Sequence, residues 1–179
     1  MGDPSATMEV SSTTEVAASS TPLGGKWTLW AHLPHDTDWS ISSYKEIHTF
    51  DTVEGAISTT EVLPDKMVKN CMLFLMRQGV HPTWEDPNNR DGGCFSYRVG
   101  DRQIVATWKD LTYALVGETL SPDTRVQSRI NGITISPKKN FSVMKVWMRD
   151  CAAQNPAVIQ EVHGVVPRGC LFKRHSPEY

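Results

Sequence analysis

Residues His81–Asn89, HPTWEDPNN, set an indole directly beside two carboxylates. Asp, Asn and Pro are disfavoured in strands, so the segment reads as a loop that follows the apolar run CMLFLM and carries Trp84 at its tip. A second loop, PHDTDWSISS, holds Trp39 among polar neighbours. Two loop tryptophans make a sandwich for a flat ring. Stacking one base on one aromatic contributes about 1–3 kcal/mol, and a cationic ring adds cation–π attraction. Glu85 beside Trp84 supplies a carboxylate that accepts two N–H donors from one edge of such a ring. Guanine alkylated at N7 has both properties, a positive charge and the N1–H and N2–H₂ donors. Lys138, Lys139, Lys145 and Arg149 are candidates to hold attached phosphates. A competing chemistry is covalent, with Cys94 as nucleophile and His163 or His175 as base, although no nucleophile motif surrounds that cysteine.

The elements that position these residues follow from periodicity. KWTLWAHL alternates Trp27, Leu29 and Ala31 against Thr28, Trp30 and His32, and YKEIHTF is a second strand candidate. FDTVEGAIS predicts a helix opened by Asp51 as N-cap with Glu54 three residues on. KNCMLFLMRQ and CFSYRV are the next strands, separated by the Trp84 loop and by NRDGG, whose glycines mark a tight bend. From about Asp101 to Gly117, Ile104, Trp108, Leu111 and Leu115 fall on one helical face, which places Trp108 in the core and Gly117 at the C-cap. VQSRINGITISP and FSVMKVWMRD form a hairpin. Met144, Val146 and Met148 face the helices, and Lys145, Trp147 and Arg149 face solvent. A last helix, NPAVIQEVHGV, starts at Asn155, and CLFKR is a closing strand. Strands and three helices in this order imply an α+β fold: a curved antiparallel sheet with helices on its convex face and a partly open concave face.

Composition sets limits. Residues 1–21 are rich in Ser, Thr and Ala with almost no large apolar side chains, which predicts a disordered tail before a single domain at 22–179. The tail has neither the basic start nor the apolar core of a signal peptide, and no run approaches the roughly 18 apolar residues of a membrane span. A net charge of −2 excludes broad, non-specific nucleic-acid binding and leaves room for a small basic patch. Cys71, Cys94, Cys151 and Cys170 are widely spaced, with no CxxC pair, so neither a metal nor a cofactor is expected.

KWTLW, Trp39, FDTVE, HPTWEDPNNRDGG, VGE and the strand ending KVW, in that order and at compatible spacing, resemble the translation initiation factor 4E family of messenger-RNA cap-binding proteins. The resemblance spans about residues 22 to 175. It implies a cupped sheet backed by three helices, with the 7-methylguanosine cap as ligand and no catalytic step. Trp39 and Trp84 would stack on the base, Glu85 would take its edge and Trp147 its N7-methyl group, while Lys138 falls at a phosphate-binding position. A second basic position falls on Val143, and the basic residue and Trp that follow DGG are replaced by Cys94 and Phe95. These losses imply weaker phosphate binding unless Lys139, Lys145 or Arg149 compensates.

The resemblance also implies a partner-helix surface of Pro22, Leu23, Val53, Ile57 and Tyr113, with Ile57 where the family has a Trp and Tyr113 where an aliphatic residue is usual. The partners it implies are capped mRNA and a scaffold initiation factor of the 4G type or a 4E-binding repressor, in a heteromeric complex with one copy of this chain. The expected location is cytoplasmic with a possible nuclear fraction. The Ile57 replacement keeps open a cap-binding translational repressor that lacks productive scaffold binding. The departures together resemble those of kinetoplastid paralogues.

Overall fold

Alternation sorts the side chains of the first strand onto two faces. In β1 (Pro22–His32), Trp27, Leu29 and Ala31 enter the main core, and Trp30 turns to the opposite face. The computed structural model describes residues 20–175. Among these, β1 joins β2 (Tyr44–Thr52), β3 (Met72–Arg77), β4 (Gly93–Gly100), β5 (Ile130–Pro137), β6 (Phe141–Met148) and β7 (Leu171–Arg174) in one sheet. The order is β2-β1-β3-β5-β6-β4-β7, with every neighbouring pair antiparallel. Register shifts at Leu29/Trp30 and Ile130/Gly132 insert irregularities of the kind that bend a sheet. The expected tail lies mostly at residues 1–19, outside the described residues; Thr21 is described, and its N–H donates to the Glu54 carboxylate at 2.9 Å.

One face of the sheet carries α1 (Val53–Val62), α2 (Asp65–Asn70), α3 (Ile104–Val116) and the single turn α4 (Thr124–Gln127). Ile104, Trp108, Leu111 and Leu115 of α3 are buried against the sheet as the spacing predicts, and Gly117 is the C-cap. The start of α1 differs from expectation. Asp51 is still in β2, where it pairs with Lys26, and the capping oxygen is Thr52 Oγ1, which accepts from the Gly55 N–H at 3.1 Å. The third helix of the layer is also misplaced by the sequence. Lys69 and Asn70, expected to open a strand, close α2.

The segment expected to form a last helix makes one 3-10 turn, Pro156–Val158. Asn155 does cap it, accepting from the Ala157 N–H at 3.0 Å. The helix stops because its next backbone groups bond elsewhere: the Gln160 N–H donates to the Leu120 carbonyl, and Val162 pairs with Val165 around Gly164, whose φ is 75°. The glycines of NRDGG are also needed for a different reason than a bend. A Cβ on Gly92 would lie 1.8 Å from the Met148 carbonyl oxygen, and one on Gly93 would lie 2.6 Å from that of Lys173, so both permit close strand approach. No described helix is long and apolar enough to cross a membrane.

Candidate ligand-binding face

The face without helices has its own smaller core of Phe74, Met76, Val80, Cys94 and Trp147, with Trp30, Tyr44 and Met72 packed against it. Trp147 was expected at solvent and is instead buried. Its Nε1–H donates to Thr134 Oγ1 at 2.7 Å, and its ring lies 4.8 Å from that of His175. Cross-strand pairing and a satisfied indole N–H make it a floor residue of this face.

The Trp84 loop rises from the end of β3 and is held by buried polar groups. The Asp86 carboxylate accepts from the His81 N–H and Nδ1 at 3.0 and 3.1 Å, and from the Asn88 N–H and Nδ2 at 2.8 and 3.0 Å. Burial alone would raise this carboxyl, but the hydrogen bonds outweigh it and hold Asp86 below the usual carboxylate range. Asn89, fully buried, donates through Nδ2 to the carbonyls of His81 and Thr83 at 2.9 and 2.8 Å. Its Oδ1 accepts from Asn131 Nδ2 at 2.9 Å, which ties the loop to β5. Few apolar anchors predict a mobile loop; the anchors present are polar. Trp84 at its tip is 43% exposed, and Glu85 beside it is exposed.

Trp39 lies 57% exposed on the β1–β2 connection. Its ring is parallel to His32, with 4.2 Å between centroids and 4° between planes. The His32 Nε2–H donates to the Asp38 carbonyl at 2.8 Å, which fixes the plane on which the indole rests. His32 and Phe74 both meet the edges or faces of Tyr44, at 5.2 and 5.4 Å. Burial raises the Tyr44 phenol, and the nearby Glu85 charge raises it further. Tyr44 therefore stands between the two tryptophan loops, touching the support of one and sensing the carboxylate of the other.

The predicted cations do not form one cluster. Lys138 and Lys139 are exposed in the β5–β6 turn, where the Lys138 N–H closes on the Phe141 carbonyl. Arg149 follows the other end of β6, and eight residues at about 3.3 Å each put the two ends roughly 25 Å apart. Lys145 lies between, opposite Ser96 and Thr134. Its charge acts on Cys94 and His175, which fixes it on the aromatic face.

The cysteine is poorly suited to attack. Burial pushes the Cys94 thiol up to about 12. His175 Nδ1–H donates to the Asn89 carbonyl at 2.7 Å, so its Nε2 is free to accept from Cys94 Sγ at 3.0 Å. Burial lowers the His175 pKa, with Lys145 acting the same way. The pair is a neutral thiol donating to a neutral imidazole. Cys71, Cys151 and Cys170 are free and half-buried.

On the opposite side of the molecule, Leu23, Val53, Ile57 and Tyr113 line an apolar groove of about 490 Å³ together with Ala56 and Val116. Four of the five expected partner-surface residues thus meet; Pro22 is exposed at the start of β1, paired with Thr52. Glu61 at the groove edge accepts from Tyr113 Oη at 2.8 Å and from Lys109 Nζ at 2.6 Å. Burial, then this bond, pushes the Tyr113 phenol up to about 12. Sequence reasoning missed Glu61, Lys109 and Asn131 because each is recruited by a contact distant along the chain.

An open antiparallel α+β sheet with an aromatic, partly cationic face on one side and a grooved helix layer on the other has the frame of a two-faced binding module. The chain belongs to the eukaryotic initiation factor 4E family, whose profile matches residues 22–168. It is 32% identical over 139 residues to eukaryotic translation initiation factor 4E-2 of Schizosaccharomyces pombe, covering 73% of this chain and 54% of that protein. The chain thus spans little more than half of that relative's length. Among solved structures, the complex of C. elegans eIF4E-3 with the 4E-binding protein Mextli and a cap analog is similar at a TM-score of 0.67 and 26% identity, covering 74% of this chain and 76% of the other. Ascaris suum eIF4E-3 with an m7G cap is similar at 0.67 and 26%, covering 78% of each chain.

Proposed function

We propose that this protein binds the 7-methylguanosine cap of messenger RNA and brings capped RNA into translation initiation. Trp39 and Trp84 stack on the base, Glu85 accepts from its N1–H and N2–H₂ edge, and Trp147 forms the floor. Lys145 receives the phosphates, with Lys138 and Lys139 at the hairpin end. The observation that carries this reading is the contrast among tryptophans: Trp27, Trp108 and Trp147 are buried, whereas Trp39 and Trp84 are 57% and 43% exposed on loops held by a stacked His and by buried polar groups. An exposed indole held in place by a stacked His or a buried polar network is prepared to cover a flat ligand.

Capped RNA and a helix-bearing scaffold of the 4G type or a 4E-binding protein are the partners, on the aromatic face and the helix-side groove respectively. The groove favours docking of an amphipathic helix, because it is apolar and one of its lining residues, Ile57, is an exposed large hydrophobic. With Ile57 as anchor, the partner helix fits a shallower contact than an indole would make, and a repressor role remains the second reading. No catalytic step is involved, in keeping with a Cys94 thiol that stays protonated. The site of action is the cytoplasm.

Intrinsic tryptophan fluorescence titrated with 7-methyl-GTP and with GTP tests the reading. The methylated ligand should quench with at least about tenfold preference, since the cation–π contribution is on the order of 1–2 kcal/mol. Trp84→Ala should abolish the preference while leaving the thermal melt unchanged. Equal affinities for the two nucleotides would refute the stacked, cation-selective site.

A further inference from the structure

Pairing register places on the aromatic face two cations that chain order does not associate with it. Residues directly opposed in an antiparallel ladder project from the same face, with Cβ atoms about 4.5–5.5 Å apart. On β4 and β6, Arg98 opposes Val143, Ser96 opposes Lys145 and Cys94 opposes Trp147, while Cys94 also opposes Lys173 of β7. Three successive rows of the face therefore carry Arg98, Lys145 and Lys173. Arg98 and Lys173 are exposed, and among the described residues none of the three forms a salt bridge.

Val143 and Cys94 are the two positions at which the family resemblance finds a positive charge missing. Each is faced across the ladder by a cation. The Arg98 guanidinium lies 4.1 Å over the Phe141 ring, which confirms its side and reduces its freedom. Stacking engages only the face of the guanidinium, so its in-plane N–H groups stay available to an anion. We infer that Arg98 and Lys173, flanking Lys145, bind the triphosphate bridge of the ligand, so that the charge is supplied by neighbouring strands rather than lost. This inference rests on the cap-binding reading above and identifies its anion contacts.

The test uses the full chain, fluorescence titration, and two probes, 7-methyl-GTP and the nucleoside 7-methylguanosine, at low and raised salt. Arg98→Gln and Lys173→Gln should each weaken 7-methyl-GTP about fivefold and together at least twentyfold, as expected for lost charge-assisted hydrogen bonds. Nucleoside affinity should not change, which also shows that the variants fold. The salt dependence of 7-methyl-GTP binding should flatten in the double variant. Lys66→Gln, on the helix layer, should match the unaltered protein. The inference is overturned if the double variant holds 7-methyl-GTP undiminished, if nucleoside binding falls equally, or if Lys66→Gln has the same effect. An unaltered protein that binds neither probe would overturn the cap-binding reading itself.

Discussion

Asn89→Ala is the most informative single change to the loop that carries Trp84 and Glu85. The amide orientation is dictated by its partners, because two carbonyl oxygens, of His81 and Thr83, can face only the donor end. The acceptor end meets Asn131 Nδ2. Truncation removes three hydrogen bonds at a site with no solvent access to replace them. At about 0.5–1.5 kcal/mol net for each bond, the expected loss is roughly 2–4 kcal/mol. For a domain of this size that lowers Tm by roughly 5–15 °C. Asn89→Asp keeps the volume and the Asn131 contact but turns a carboxylate oxygen toward two carbonyls, so it should be at least as damaging. Asn88→Ala, at an exposed residue, removes one side-chain bond to Asp86 and should stay within about 1 kcal/mol. Urea and thermal unfolding of the four proteins measure this. An Asn89→Asp protein as stable as the original would refute the donor argument and with it the polar account of loop anchoring.

Two other outcomes are expected. His175 is held below its ordinary value of 6.5, so the folded state binds fewer protons than the unfolded state in that range. Its contribution is complete above about pH 6.5 and is lost as pH falls toward the folded value. Urea midpoints at pH 7.5 and 5.5 should therefore diverge less in His175→Asn than in the original. Ile57→Asp places a charge in the groove at a residue already 47% exposed. It should change stability by less than about 1 kcal/mol and weaken an amphipathic 4E-binding peptide more than about tenfold by fluorescence anisotropy.

Local chemistry was legible in the chain. Trp84 and Glu85 are covalent neighbours, so an aromatic face and an edge acceptor are brought together whatever the rest of the fold does. Period-two alternation put Trp27, Leu29 and Ala31 inside, and 3.6-residue spacing did the same for Trp108 and Leu111. Capping was less legible, because Asp51 and Thr52 are both competent oxygens. Only the end of β2 decides that Thr52 faces the Gly55 N–H.

Tertiary structure decided whatever depends on partners far along the chain. Trp147 has the same alternation as an exposed cation-bearing face, yet Thr134 and His175 bury it. NPAVIQEVHGV has an N-cap and a helical composition, but Leu120 takes the Gln160 N–H, and a lone helix that short has no packing to hold it. Arg98 and Lys173 show the same principle. Sequence order separates them from Val143 and Cys94, and the register of β4, β6 and β7, set by burial of the other sheet face, puts them side by side. Residue identity alone determined which chemistry the chain can offer. Strand register decided which charges and rings share one face, because a shift of one residue would turn every one of them away.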